Sequence, residues 1–92
     1  MKNNDIRAKA GSLESCDALV TVKRGTDKIE LDSVVSLQYE HIMREKINDI
    51  IQKLGEKNLE LTIKDNGAVN FVLQARVETA IKRLQHAEKG AE

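Results

Sequence analysis

Proline and tryptophan are missing from this 92-residue chain, cysteine occurs once, and Tyr39 and Phe71 are its aromatic residues. A lone cysteine, Cys16, cannot form an internal disulfide, which agrees with a reducing compartment. So few aromatics leave no stacking platform for single-stranded nucleic acid or for cofactor rings. Neither sign of charge is in excess: Lys and Arg total 15, as do Asp and Glu. That balance removes the electrostatic footprint that phosphate-backbone binding needs. No apolar run is long enough to span a bilayer, and MKNNDIRAK lacks the apolar stretch of a signal peptide. Nucleic acid and membrane are therefore not expected as partners, and a cytoplasmic location is. A chain this short buries a modest share of its surface, so a platform is expected in place of a deep enclosed pocket.

What is present is periodicity. Residues 1–17 show none that is sustained and are rich in Asn, Ser, Lys and Gly, so they read as a mobile N-terminal arm. In ALVTVKR the apolar Ala18, Val20 and Val22 share one face. After the turn signal RGTD, KIELDS places Ile29 and Leu31 likewise, and the two segments read as a hairpin. SLQYEHIMREKINDIIQKLG carries Tyr39, Ile42, Met43, Ile47, Ile50, Ile51 and Leu54 at steps of three and four, with Gly55 as a C-terminal cap. LELTIK alternates through Leu59, Leu61 and Ile63. A second helical stripe follows in Val69, Val72, Leu73, Val77, Ala80, Ile81 and Leu84. The expectation is an α+β fold in β-β-α-β-α order: a small three-stranded, antiparallel-type sheet with two helices packed on one face. A single domain of that fold is expected over 18–88, and 89–92 is expected to be a frayed tail. DNG at 65–67 reads as a strand-to-helix turn, with Gly67 supplying an unusual backbone angle and Asp65 or Asn66 capping the next helix.

Few residues are arranged for chemistry. His41, His86 and Cys16 lie far apart without CxxC or HxxxH spacing, so no metal site is expected. There is no nucleophile elbow, phosphate loop or dinucleotide fingerprint. A triad assembled in space stays open by spacing alone, but catalysis by this chain alone is not expected. Two serines stand out. Ser33 in ELDSVVSL resembles the Asp-Ser-Leu motif on which ordinary acyl carrier proteins bear phosphopantetheine; its position between a strand and a helix also suits N-capping, the reading adopted here. Ser15 in LESCD offers a hydroxyl among small neighbours, reachable by another enzyme, with Ser12 or Asp17 available for a local turn.

AGSLESCDALVTV together with IKDNGAVNFVLQARVETAI resembles the acyl carrier protein of citrate lyase, the gamma subunit, over residues 6–84. That family carries an AG[ST]LES-x-D segment near its start and D-x-GA...AR near its end. Val69, Asn70 and Phe71 differ from its usual residues after GA, and Cys16 falls where Ser or Gly is common. The resemblance implies that Ser15 holds 2'-(5''-phosphoribosyl)-3'-dephospho-CoA through a phosphodiester, attached by a prosthetic-group transferase. It further implies a non-catalytic subunit whose arm carries acetyl and citryl groups between the alpha (transferase) and beta (lyase) subunits, as citrate is cleaved to oxaloacetate and acetate. The carrier of malonate decarboxylase is a related alternative. An ordinary carrier using Ser33, or an unmodified interaction module using the bare face of the sheet, are the others.

Overall fold

DALVTVKR and LELTIKDN bury every second residue, as strands covered on one face must, and they lie side by side in the middle of the sheet. The computed structural model describes residues 6–35 and 37–90. Its elements are β1 (Arg7–Gly11), β2 (Asp17–Arg24), β3 (Lys28–Ser33), α1 (Leu37–Lys53), β4 (Leu59–Asn66) and α2 (Asn70–Gly90). The sheet is ordered β1-β2-β4-β3, antiparallel from β1 through β4 and parallel between β3 and β4.

The fold class is the expected one, α+β with two helices, but the sheet has four strands and is mixed. The additional strand, β1, lies inside the segment assigned above to an arm, with Ala8 opposite Val22 and Ala10 opposite Val20. Its inward residues are alanines, too small and too weak in β-propensity to mark a strand. They serve here because α2 packs directly across β1 and β2.

The expected hairpin of β2 and β3 does not form. β4 inserts between them, pairing Val20 with Ile63 on one side and Leu31 with Ile63 on the other. β4 buries Leu59, Leu61 and Ile63 together, so the centre of the sheet is where it removes most apolar area from water while leaving neither of its edges unpaired. The RGTD segment is accordingly a bridge over the start of β4: Gly25 N donates to Asn58 O, and Asp27, at φ 57°, accepts from the amides of Asn58 and Leu59.

Val20, Val22, Met43, Ile47, Leu61, Ile63, Leu73, Val77, Ile81 and Leu84 are buried in one cluster between the sheet and the helices. Ile42 and Val69, expected on the apolar stripes, are exposed instead. Gly55, at φ 66°, closes α1 as expected, its amide donating to Gln52 O while that of Glu56 donates to Ile51 O. α2 runs through Lys89 to Gly90, further than the expected tail allowed, and residues 91–92 lie outside the described ones. The opposite face of the sheet is charged and polar, with Lys9, Thr21, Thr62 and Glu30 in register across it.

Candidate functional site

The strand directions bring Gly11, Asp17, Ser33 and Asn66 to one end of the sheet. The loop 12–16, the residues after β3 and the turn after β4 therefore gather there. Ser15 stands exposed in the turn of the first, and its side chain forms no hydrogen bond among the described residues.

The loop around Ser15 is anchored. Cys16 N donates to Asn66 O at 2.8 Å, and Asn66 Nδ2 donates to Leu13 O at 3.2 Å. Cys16 is exposed and adopts φ 64°, in the left-handed region, which turns the chain sharply from Ser15 into β2. Asp17 closes the loop from within: its carboxylate accepts from Ser12 Oγ at 2.7 Å and from Ala18 N at 2.7 Å. Arg76 of α2 forks onto the same carboxylate, with Nε at 2.8 Å from Oδ1 and Nη2 at 3.3 Å from Oδ2. The guanidinium, then the Ser12 hydroxyl and the Ala18 amide, hold Asp17 down at about 2 from an ordinary 3.8.

Gly11 lies beneath this clasp at φ 92°. A Cβ there would stand 1.8 Å from the Ala18 carbonyl oxygen and 3.1 Å from Arg76 Cδ, so no other residue fits. The AG and D of AGSLESCD and the AR of LQAR are thus parts of one assembly. Sequence reading offered Ser12 or Asp17 for a local turn, and the two are bonded to each other, but it missed Arg76, which the second motif contained without any sign of its partner.

Ser33 departs from expectation. It is half-buried at the end of β3, donates from Oγ to Asp65 Oδ2 at 2.8 Å, and accepts from Val35 N at 3.2 Å. It does not cap α1, which begins at Leu37. Asp65, buried, also accepts from Gly67 N at 3.3 Å and Ala68 N at 3.0 Å, so it shapes the turn, while the first bond of α2 runs from Leu73 N to Val69 O. Gly67 has φ 90°, as its expected role requires. Tyr39 Oη donates to Asn70 Oδ1 at 3.1 Å, tying the start of α1 to that of α2.

Of the exposed large apolar residues, Leu13, Val34, Leu37, Val69 and Phe71 all belong to the loops and helix starts at this end. That end of the sheet thus carries most of the exposed large apolar side chains among the described residues. His41 and His86 are exposed on separate helices, and among the described residues no group of His, Cys, Asp and Glu could hold a metal ion. No helix among them is long and apolar enough to cross a membrane.

This two-helix, four-stranded platform is a fold shared with a solved structure. A chain in the crystal structure of a Pseudomonas malonate decarboxylase hetero-tetramer in complex with malonate superposes with a TM-score of 0.66, at 20% identity, covering 88% of this chain and 86% of that one. Residues 5–84 match the acyl carrier family described as malonate decarboxylase delta subunit (MdcD). The citrate lyase acyl carrier protein of Halothermothrix orenii is 39% identical over 92% of this chain and 89% of its own length. That of Fusobacterium nucleatum is 36% identical, covering 80% of this chain and 82% of its own. The chain belongs to this family of citrate lyase and malonate decarboxylase acyl carrier proteins.

Proposed function

We propose that the chain is the acyl carrier subunit of a citrate lyase and that Ser15 is its point of covalent attachment, for 2'-(5''-phosphoribosyl)-3'-dephospho-CoA joined through a phosphodiester. One observation carries the choice of serine: the Ser15 hydroxyl is exposed and, among the described residues, unengaged, whereas the Ser33 hydroxyl is committed to the buried Asp65. When attached, the group supplies a thiol whose thioesters transfer acyl groups readily. The chain itself holds the base of the arm on a clamped loop and keeps the tethered end at high local concentration near its partners. Catalysis belongs to those partners, the alpha and beta subunits, and attachment to a transferase that must reach Ser15 Oγ. The exposed apolar residues around Ser15 suit protein partners of this kind. The charged face of the sheet gives an apolar partner no comparable surface, which weighs against an unmodified interaction module.

The test is intact mass after incubation with the transferase and the activated prosthetic group. Wild type and Ser33→Ala should gain the increment and Ser15→Ala should not, with its melting temperature nearly unchanged, since exposed substitutions usually fall within about 0.5 kcal/mol. Ser33→Ala should lose about 1–2 kcal/mol of stability, because a buried carboxylate oxygen loses a donor. Gain by Ser15→Ala with none by Ser33→Ala would return the assignment to the ordinary carrier motif. A second reading, the carrier of malonate decarboxylase, is favoured by the family description and the shared fold. Pairing the loaded chain with the catalytic subunits of each enzyme in turn separates the two, and turnover with citrate lyase subunits alone is the expected result.

A further inference from the structure

We propose that Arg76 is a positioning residue for Ser15, acting through Asp17 to fix the direction in which the loop presents the serine hydroxyl. The inference rests on the reading of Ser15 as the attachment point. Both ends of the loop converge on one carboxylate: Ser12 Oγ reaches it from the start and Ala18 N from the end, each at 2.7 Å. That carboxylate is in turn set by Arg76, which stands on the one helix that crosses both β1 and β2. Ser15 is separated from Asp17 by Cys16 alone, and Cys16 is constrained at φ 64° and bonded to Asn66 O. The carboxylate set by Arg76 therefore holds Ser12 at the start of the loop against Asp17 at its end, with Ser15 between them.

The setting argues for orientation over stability. The Arg76 side chain is 40% exposed, and an ion pair so placed adds little to folding. A guanidinium forked onto a carboxylate nevertheless fixes an angle that a lysine or a water would leave loose. Forming a phosphodiester joins Ser15 Oγ to phosphorus while the bond from that phosphorus to the activating group breaks, the leaving group departing opposite Oγ and the serine proton passing to a base of the transferase; the oxygen must lie in line, and small misplacements of a reacting atom are expensive in rate.

Arg76→Met, Arg76→Lys and Ser15→Ala are made in the full chain and compared with wild type. Attachment of the activated prosthetic group by its transferase is followed by intact mass, and amide hydrogen exchange is read on the unmodified chains. For Arg76→Met the expected result is a kcat of attachment lowered by about tenfold with KM changed by less than about twofold. The amides of Cys16 and Asp17 should exchange faster while those of Val20 and Val22 keep wild-type protection, and Arg76→Lys, which restores the charge without the fork, should recover little of the rate. A wild-type kcat in Arg76→Met overturns the inference. So does faster exchange at Val20 and Val22 in step with Cys16, which would make Arg76 a residue of the scaffold. Attachment to Ser15→Ala overturns the reading of Ser15 as well, whereas its failure there beside a wild-type rate in Arg76→Met removes the positioning role alone.

Discussion

β2 is pinned to α2 at both of its ends, by ion pairs of opposite sense. Its first residue, Asp17, meets Arg76; its last, Arg24, meets Glu88, with Nε 2.7 Å from Oε2 and Nη2 2.9 Å from Oε1. At the far end Arg24 also reaches Glu56 at 2.7 Å and Lys57 O at 3.0 Å, both in the connection between α1 and β4, and Gln85 donates to Glu56. There the guanidinium joins three pieces of the scaffold. Arg24 is held above its ordinary value first by Glu88 and then Glu56, and Glu56 is held below the usual carboxylate range chiefly by Arg24. At the Ser15 end the same chemistry joins the scaffold to a loop, and exposed apolar side chains, Leu13, Val34, Leu37, Val69 and Phe71, stand at that end. One end is closed by its ions and the other is left open by them, so the far pair should carry stability and the near pair should carry placement.

The largest effect that would sharpen this contrast comes from Gly11. A methyl group at its Cβ position has no room before the Ala18 carbonyl, and the residue is held at φ 92°. Gly11→Ala should cost about 2–3 kcal/mol in urea unfolding and loosen the loop amides together with the strand. A cost near zero would show that the β1–β2 connection can shift without loss, and the clasp above it would no longer be a fixed structure. Arg24→Met should come next, at about 2 kcal/mol for a partly buried charged hydrogen-bonding group, while the chain remains a normal substrate for attachment. A variant of Arg24 that folds stably but is attached slowly would break the division of labour between the two ends.

Most of this division was hidden from sequence reading for a physical reason. Alternation and helical stripes report burial against a core, so they located β2, β3, β4, α1 and α2 and most of the core within them. They do not report which strand lies beside which. The placement of β4 between β2 and β3 depends on pairing across more than twenty-five residues of chain, and RGTD looks the same whether it makes a hairpin or a bridge. β1 escaped because Ala8 and Ala10 work by being small against α2, a requirement set by the helix and not by the strand. Ser33 shows the opposite error, in which a local rule for caps was satisfied on paper while a tertiary partner, Asp65, took the hydroxyl. Ser15 was singled out through the resemblance of its segment, yet the residue bound to Asp17 of its loop lies in the other motif, fifty-nine positions from Asp17.

The smallest expected effect is also the most direct reading of the near pair, and it is a matter of acid. Asp17 lies at about 2 in the folded chain and returns to an ordinary 3.8 when unfolded. A lowered folded value means that the folded state binds the proton less readily, so whatever the clasp adds to stability is present in full above about pH 4 and disappears as the pH falls through about 2. Near neutrality the clasp is therefore insensitive to pH, and attachment should show no acid limb from Asp17 under any condition in which a partner enzyme survives. Carbon-detected NMR of the Asp17 carboxyl should titrate near 2 in wild type. In Arg76→Met it should move upward towards the ordinary value and stay short of it, because Ser12 Oγ and Ala18 N still donate to the carboxylate. An unshifted midpoint in that variant would mean that Ser12 and Ala18 N alone hold the carboxylate, and the comparison of two guanidinium-pinned ends would reduce to one, at Arg24.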